Sequence, residues 1–277
     1  MKLALRETII AGNLIFNKIT TRRKNDKIKT RAKKSNPTPM SVEKMNQHYA
    51  EKKFNILLHH NFKAGDLYVT LTYRNNPDKD YANKKITSFI KKLKRRYKKA
   101  EVELKWVHVT EYENCNNLHH HFVLSYIDPA IIYDCWKEGF IKIALLDESG
   151  DWRKLGNYLI KETSRTFRNP DAFSKQRYSK SRNVVMPEVR VEEVSTEQLF
   201  VAKATKGYYI DQDSIIKGIN PDTDKPYIEF VQVALDTPCK KYCRGKRKKY
   251  KRERIKQIIA ERQLSLADMQ GNLEVQK

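Results

Sequence analysis

Asn117-Leu118-His119-His120-His121-Phe122-Val123-Leu124 sets three consecutive histidines inside an otherwise apolar run. The cluster Asn114-Cys115-Asn116-Asn117 just before it has turn composition. The stretch therefore reads as one strand of a hairpin, over roughly 118–126, whose partner covers residues 103–112. Successive side chains on a strand point to opposite faces. His119 and His121 then share a face, and His120 points the other way with Phe122 and Leu124. Two imidazoles one strand repeat apart can share one metal ion. If Glu111, on the preceding strand, sits opposite His119 or His121, its carboxylate completes a set of two imidazoles and one carboxylate. Such a set leaves positions open for water and substrate, which a catalytic metal requires. A solvated histidine cluster is the bland alternative, although an internal site within an apolar strand argues against a tag. His108 is out of phase with Glu111 and is the weaker ligand candidate.

Working outward, Leu67-Tyr68-Val69-Thr70-Leu71-Thr72-Tyr73 is β-branched and aromatic and is bounded by Gly65-Asp66 and Asn75-Asn76-Pro77, so it reads as a strand. A helix is expected over residues 39–59, with Thr38 as cap and Pro39 in its first turn. A second is expected over residues 80–99, with Ile86, Phe89, Ile90, Leu93 and Tyr97 on one face and a lysine- and arginine-rich face opposite. A short helix after Asp128-Pro129, a strand from Phe140 to Leu145 and a helix over 151–164 follow. Residues 165–183 read as a basic loop and residues 184–194 as extended. Strands are expected over 208–219 and 227–235, joined by Asn220-Pro221-Asp222-Thr223-Asp224. Residues 1–37 read as a basic arm, and Lys240 to Lys256 as a basic run leading into a terminal helix. The order β-α-β-β-α-β-α implies an α+β fold: an antiparallel sheet flanked by helices, with basic N- and C-terminal extensions. The expected divisions are 1–37, 38–183, 184–238 (a further β-rich segment) and 239–277. No internal repeat is visible.

Charge narrows the partner. Lys and Arg number 56 against 33 Asp and Glu, a formal net charge of +23, which favours a polyanion. Nucleic acid fits better than an anionic membrane, since no long apolar run exists to insert. The opening Met1-Lys2-Leu3-Ala4-Leu5-Arg6 is too short and charged for a secretory signal. Lys91, Lys94 and Arg95 on the long helix, and the run from Lys240 to Lys256, are expected to contact phosphates. Four cysteines form no disulfide framework and fit a reducing cytoplasm. Cys239-x3-Cys243 lacks a second pair at zinc-ligand spacing, so two incidental thiols are the simpler reading.

The second chemical constellation is Leu155-Gly156-Asn157-Tyr158-Leu159-Ile160-Lys161-Glu162. Tyr158 and Lys161, at i and i+3, meet on one helix face, which Lys154 and Arg165 extend. Trp152, Leu155 and Leu159 form the buried stripe beside it. A phenol with cations alongside is poised to become a phenolate, a nucleophile toward a phosphodiester. The spacing is weak alone, since a boundary tyrosine usually just covers apolar surface. Tyr178 is the runner-up among the tyrosines.

In chain order, Tyr68-Val69-Thr70-Leu71-Thr72-Tyr73, Glu111, His119-His120-His121 and Tyr158-Leu159-Ile160-Lys161 together resemble the rolling-circle replication initiators of the HUH-endonuclease superfamily. The resemblance spans about residues 65–165. It implies a central five-stranded antiparallel sheet with helices on its faces. His119 and His121 become metal ligands, Glu111 the third, and Tyr158 the nucleophile. Lys161 would hold the site's geometry or neutralise phosphate. Two departures stand out: His120 replaces a bulky hydrophobic residue between the ligands, and no second tyrosine follows, since position 162 is Glu and 165 is Arg. A two-tyrosine mechanism is therefore disfavoured.

The resemblance implies metal-dependent nicking of single-stranded or hairpin origin DNA, with Mg²⁺ or Mn²⁺, through a 5′-phosphotyrosine intermediate that is later religated. A conjugative relaxase or a single-tyrosine transposase shares that chemistry. A non-catalytic nucleic-acid-binding module is the alternative from another class. No GxxxxGK[ST] sequence occurs, so unwinding would fall to a host helicase or supercoiling, and synthesis to a host polymerase, in the bacterial cytoplasm.

Overall fold

A computed structural model of the chain describes residues 3–21, 40–113, 117–166, 176–220 and 225–235. The expected turn residues Asn114 to Asn116, the caps Thr38 and Pro39, Cys239, Cys243 and the run from Lys240 to Lys256 lie outside them. So does the side chain of Arg165.

The histidine strand β5 (Asn117–Leu124) is central to one sheet and pairs antiparallel on both sides. Its hairpin partner is β4 (Trp106–Glu113), and its other neighbour is β3 (Leu67–Leu71). β6 (Ile141–Leu145) and the two-residue β7 (Ser179–Lys180) close the two edges, giving the order β6-β3-β5-β4-β7. The register sets Glu111 opposite His119, and Thr70 opposite His121.

Both faces of this sheet are covered, by different helices. Leu67, Val69, Leu71, Phe122 and Leu124 share one face and pack under α2 (Lys79–Lys99) and α3 (Pro129–Cys135). Asp78 caps α2 by accepting from the Tyr81 amide at 2.7 Å. Asp128 caps α3, and Pro129 opens it, where a missing N–H costs nothing. Val107, Val109 and Val123 point to the other face, under α1 (Met40–Asn61) and α4 (Arg153–Thr166). Gly156 is where α4 crosses α1: a β-carbon there would collide with Oδ1 of Asn55. Asn55 also donates to Oδ1 of Asn157 at 2.6 Å.

A second five-stranded sheet runs β8-β1-β2-β10-β9. Its strands are β1 (Leu3–Ala11), β2 (Leu14–Thr21), β8 (Arg190–Ser195), β9 (Tyr208–Asn220) and β10 (Lys225–Ala234). The fold is α+β with two antiparallel sheets, not one. Residues 3–21 depart from the expected basic arm: they form a hairpin with a two-residue turn, and Gly12 takes φ +57° in it. The lysines from Lys18 onward suggest an arm, while the alternation of Leu14, Phe16 and Ile19 with polar neighbours carries the strand signal. β2 pairs with β10, so the start of the chain completes a sheet with residues 190–234. α1 lies between the sheets. Phe54, Leu57 and Leu58 face the histidine sheet, and Ile56 packs with Leu14, Phe16 and Val233 of the other. Buried Glu229 on β10 anchors α1 through Lys52 at 2.8 Å and His48 at 3.3 Å, with Lys18 of β2 at 3.3 Å.

Candidate metal centre

Glu111, His119 and His121 each offer a ligand atom within 4.8 Å of the others. Strand alternation puts the histidines on one face, and the β4–β5 register brings the carboxylate beside them. Nε2 of His121 lies 2.6 Å from Oε2 of Glu111. The Glu111 carboxyl is held below its usual range, mainly by this hydrogen bond, against the opposing effect of burial. A hydrogen bond from Tyr158 adds to the lowering. Glu111 and His121 are buried, while His119 is half-buried at the rim.

Two side chains from β3 fix the far edge of His121. Tyr68 Oη lies 2.8 Å from its Nδ1 and Thr70 Oγ1 lies 3.2 Å from it. The Tyr68 ring stacks on the imidazole, 5° from parallel. Such outer partners set the ring's orientation and which nitrogen is free to bind a metal. Neither residue was singled out as a site residue from sequence. The signal was there in phase: Tyr68 and Thr70 alternate on the strand as His119 and His121 do.

Tyr158 comes from α4, whose Leu159 and Ile160 are buried against the sheet. Its hydroxyl donates to Oε2 of Glu111 at 3.2 Å, and its ring stands edge-on to His121. The phenol remains 43% exposed, so a substrate can reach it. Lys154 and Lys161 are also exposed on this helix, at i−4 and i+3 from Tyr158. Tyr178, by contrast, packs its ring against Phe54 with 4.9 Å between centroids, and burial pushes its phenol up.

His120 and His108 belong to the opposite face. Nε2 of His108 lies 3.0 Å from Nδ1 of His120, and Nε2 of His120 lies 3.0 Å from Tyr73 Oη. Ser179 Oγ is 3.1 Å from Nδ1 of His108. One set of tautomers satisfies every group: Ser179 donates to His108, His108 to His120, His120 to Tyr73, and Tyr73 to the Ala82 carbonyl. Both rings must be neutral for this, and burial lowers both, His108 to about 3. This buried chain occupies the place of the bulky hydrophobic residue that the resemblance leads one to expect at 120. It stacks on the core through His108 and Phe122.

Lys91, Lys94 and Arg95 are exposed on α2, which covers the face opposite the ligands. They do not converge with Lys154 and Tyr158. Alternation along a strand says which residues share a face but not which helix will cover it.

The ligand set fits one divalent ion. Its donors are two imidazoles and a carboxylate, which suit Mn²⁺ or Mg²⁺ as well as softer metals. Among the described residues, no helix is long and apolar enough to cross a membrane. No curated protein and no solved structure matches the chain. Residues 66–167 run from the start of β3 to the end of α4 and hold Glu111, His119, His121 and Tyr158. They match the family model described as a replication-associated protein of the ORF2 type, which is consistent with a rolling-circle Rep protein family.

Proposed function

We propose that the chain initiates rolling-circle DNA replication by nicking single-stranded origin DNA, with Tyr158 as nucleophile and Glu111, His119 and His121 as ligands of a divalent ion. The carrying observation is the direct hydrogen bond from Tyr158 to Glu111, which joins the candidate nucleophile to the candidate ligand set. When bound, the ion would polarise the scissile phosphate. Glu111, held ionised by His121, orients the phenol by accepting its proton in a hydrogen bond. Tyr68 and Thr70 hold the His121 ring. Lys161 and Lys154 supply positive charge beside the phenol, where the transferring phosphate would carry negative charge.

In the reaction, the Tyr158 oxygen–phosphorus bond forms as the phosphorus–3′-oxygen bond breaks. The phenolic proton is lost and the departing 3′-oxygen gains one. The phosphodiester is exchanged for a 5′-phosphotyrosine, so the reverse attack by a 3′-hydroxyl rejoins DNA without ATP. Unwinding and synthesis would be supplied by host helicase and polymerase. A single exposed tyrosine at the ligand set favours one covalent strand at a time.

The test is to incubate the protein and Mn²⁺ with labelled single-stranded oligonucleotides tiling the DNA that flanks the gene. The expected product is a denaturant-resistant protein–DNA adduct that a chelator prevents. Tight binding with no adduct on any tile would support a non-catalytic nucleic-acid-binding module instead.

A further inference from the structure

α2 carries ten Lys and Arg against one acid, Asp80. Several of the cations have local explanations. Lys85 pairs with Glu138 at 2.7 Å, Arg96 lies 3.8 Å from Asp134, and Lys92 reaches the Cys135 carbonyl. Cations in the last turn also complement the helix dipole. Lys84, Lys91 and Arg95 have neither explanation: all three precede the cations of that turn, and among the described residues none enters an ion pair.

Their positions are ordered. Ile86, Phe89, Leu93 and Tyr97 form the buried stripe. At about 100° per residue, Lys84, Ser88, Lys91, Arg95 and Lys98 make a second stripe whose members lie within about 40° of the direction opposite the core. It rises for about 20 Å along the helix, at 1.5 Å per residue. Lys91 and Arg95 stand at i and i+4, a like-charge pair that destabilises an isolated helix. No exposed aromatic ring interrupts the stripe on which a base could stack. Tyr81 lies to one side with its hydroxyl on Glu138, and Tyr97 is buried.

We infer that this stripe is a second DNA-binding surface, for the phosphates of duplex DNA, on the opposite side of the sheet from the metal centre. A straight, rigid line of cations matches the dense and rigid charge of a duplex, which presents one phosphate for about every 1.7 Å of axis. Sites for single strands instead combine charge with stacking platforms. The inference rests on reading the chain as a DNA-handling protein, and it adds a division of labour. The nicked single strand meets the α4 side, and the flanking duplex lies along α2.

The experiment compares two charge-matched triple variants: Lys84→Gln, Lys91→Gln, Arg95→Gln on the stripe, and Arg190→Gln, Lys203→Gln, Lys206→Gln at exposed positions elsewhere. Affinity is measured against salt, by fluorescence anisotropy, for a blunt duplex longer than α2 and for the same sequence as a single strand. The stripe variant should lower the duplex salt slope by about 2.7, at about 0.9 for each lost phosphate contact. The control variant should lower it far less, and the single-strand slope should barely move. An unchanged duplex slope overturns the inference, as does an equal drop in both variants or on both nucleic acids. Wild-type protein that binds vesicles of anionic lipid and not the duplex overturns it too. Adduct formation is scored separately. An adduct with an unaltered duplex slope refutes this surface alone, and an altered slope without an adduct refutes nicking alone.

Discussion

Tyr158 and Glu111 are joined by a hydrogen bond of 3.2 Å, although they lie 47 residues apart on a helix and a strand. The bond exists because α4 buries Leu159 and Ile160 on the face of the sheet that carries the ligands. The same packing leaves the neighbouring Tyr158 at the rim. Nucleophile and ligand set are thus fixed by core contacts rather than by a loop.

Tyr68 should matter through His121 rather than through DNA. Tyr68→Phe removes the oxygen 2.8 Å from Nδ1 and leaves the stacked ring in place. Loss of such an outer partner should cost about 10–100-fold in metal affinity. Mn²⁺ binding measured by calorimetry should show it, with little change in thermal stability. Thr70 at 3.2 Å should moderate the loss. Equal metal affinity in Tyr68→Phe and wild type would remove Tyr68 from the site.

His120 should separate stability from metal binding. His120→Leu leaves His108 and Tyr73 each without its partner in a buried setting. An unsatisfied buried polar group costs about 1–3 kcal/mol, so chemical denaturation should show a loss of at least that order. Metal affinity of the folded protein should survive, because His120 faces away from the ligands. His119→Ala and His121→Ala should do the reverse, losing metal with smaller effects on folding.

Much of this arrangement was legible in the sequence, for a geometric reason. Period-two alternation separates His119 and His121 from His120, and a short hairpin leaves few registers for Glu111. Other relationships depend on tertiary packing that no local pattern encodes. Nothing in the spacing of Leu155, Leu159 and Tyr158 says that α4 lies on the ligand face. Nothing in the basic face of α2 says that it lies on the other. The strands at residues 3–21 were obscured because their partners, β8 and β10, lie beyond residue 189. The same distance hid the role of Glu229.

Glu229 predicts an acid-sensitive segment of the stability curve. Burial raises its carboxyl, but the hydrogen bond from His48 and the charges of Lys52 and Lys18 outweigh that and bring it to about 2. Its folded pKa lies below the ordinary 4.5, so its contribution is complete above that value and is lost as pH falls toward about 2. The linkage amounts to about 3 kcal/mol as an upper figure. Denaturation between pH 5 and about 2 should therefore show a steep loss that Glu229→Gln flattens, while the variant is less stable at pH 7. A parallel pair of curves would show that the carboxylate contributes nothing over that window.

The most direct test of the central claim is the site of covalent attachment. Wild-type protein is incubated with Mn²⁺ and a cleavable single strand, digested, and mapped by mass spectrometry. Tyr158→Phe, which removes one oxygen from a 43%-exposed ring, serves as the comparison. The account predicts a nucleotide 5′-phosphate on the peptide containing Tyr158, and no adduct in Tyr158→Phe despite retained folding and DNA binding. A nucleotide on Tyr178, or an adduct persisting in Tyr158→Phe, would contradict it.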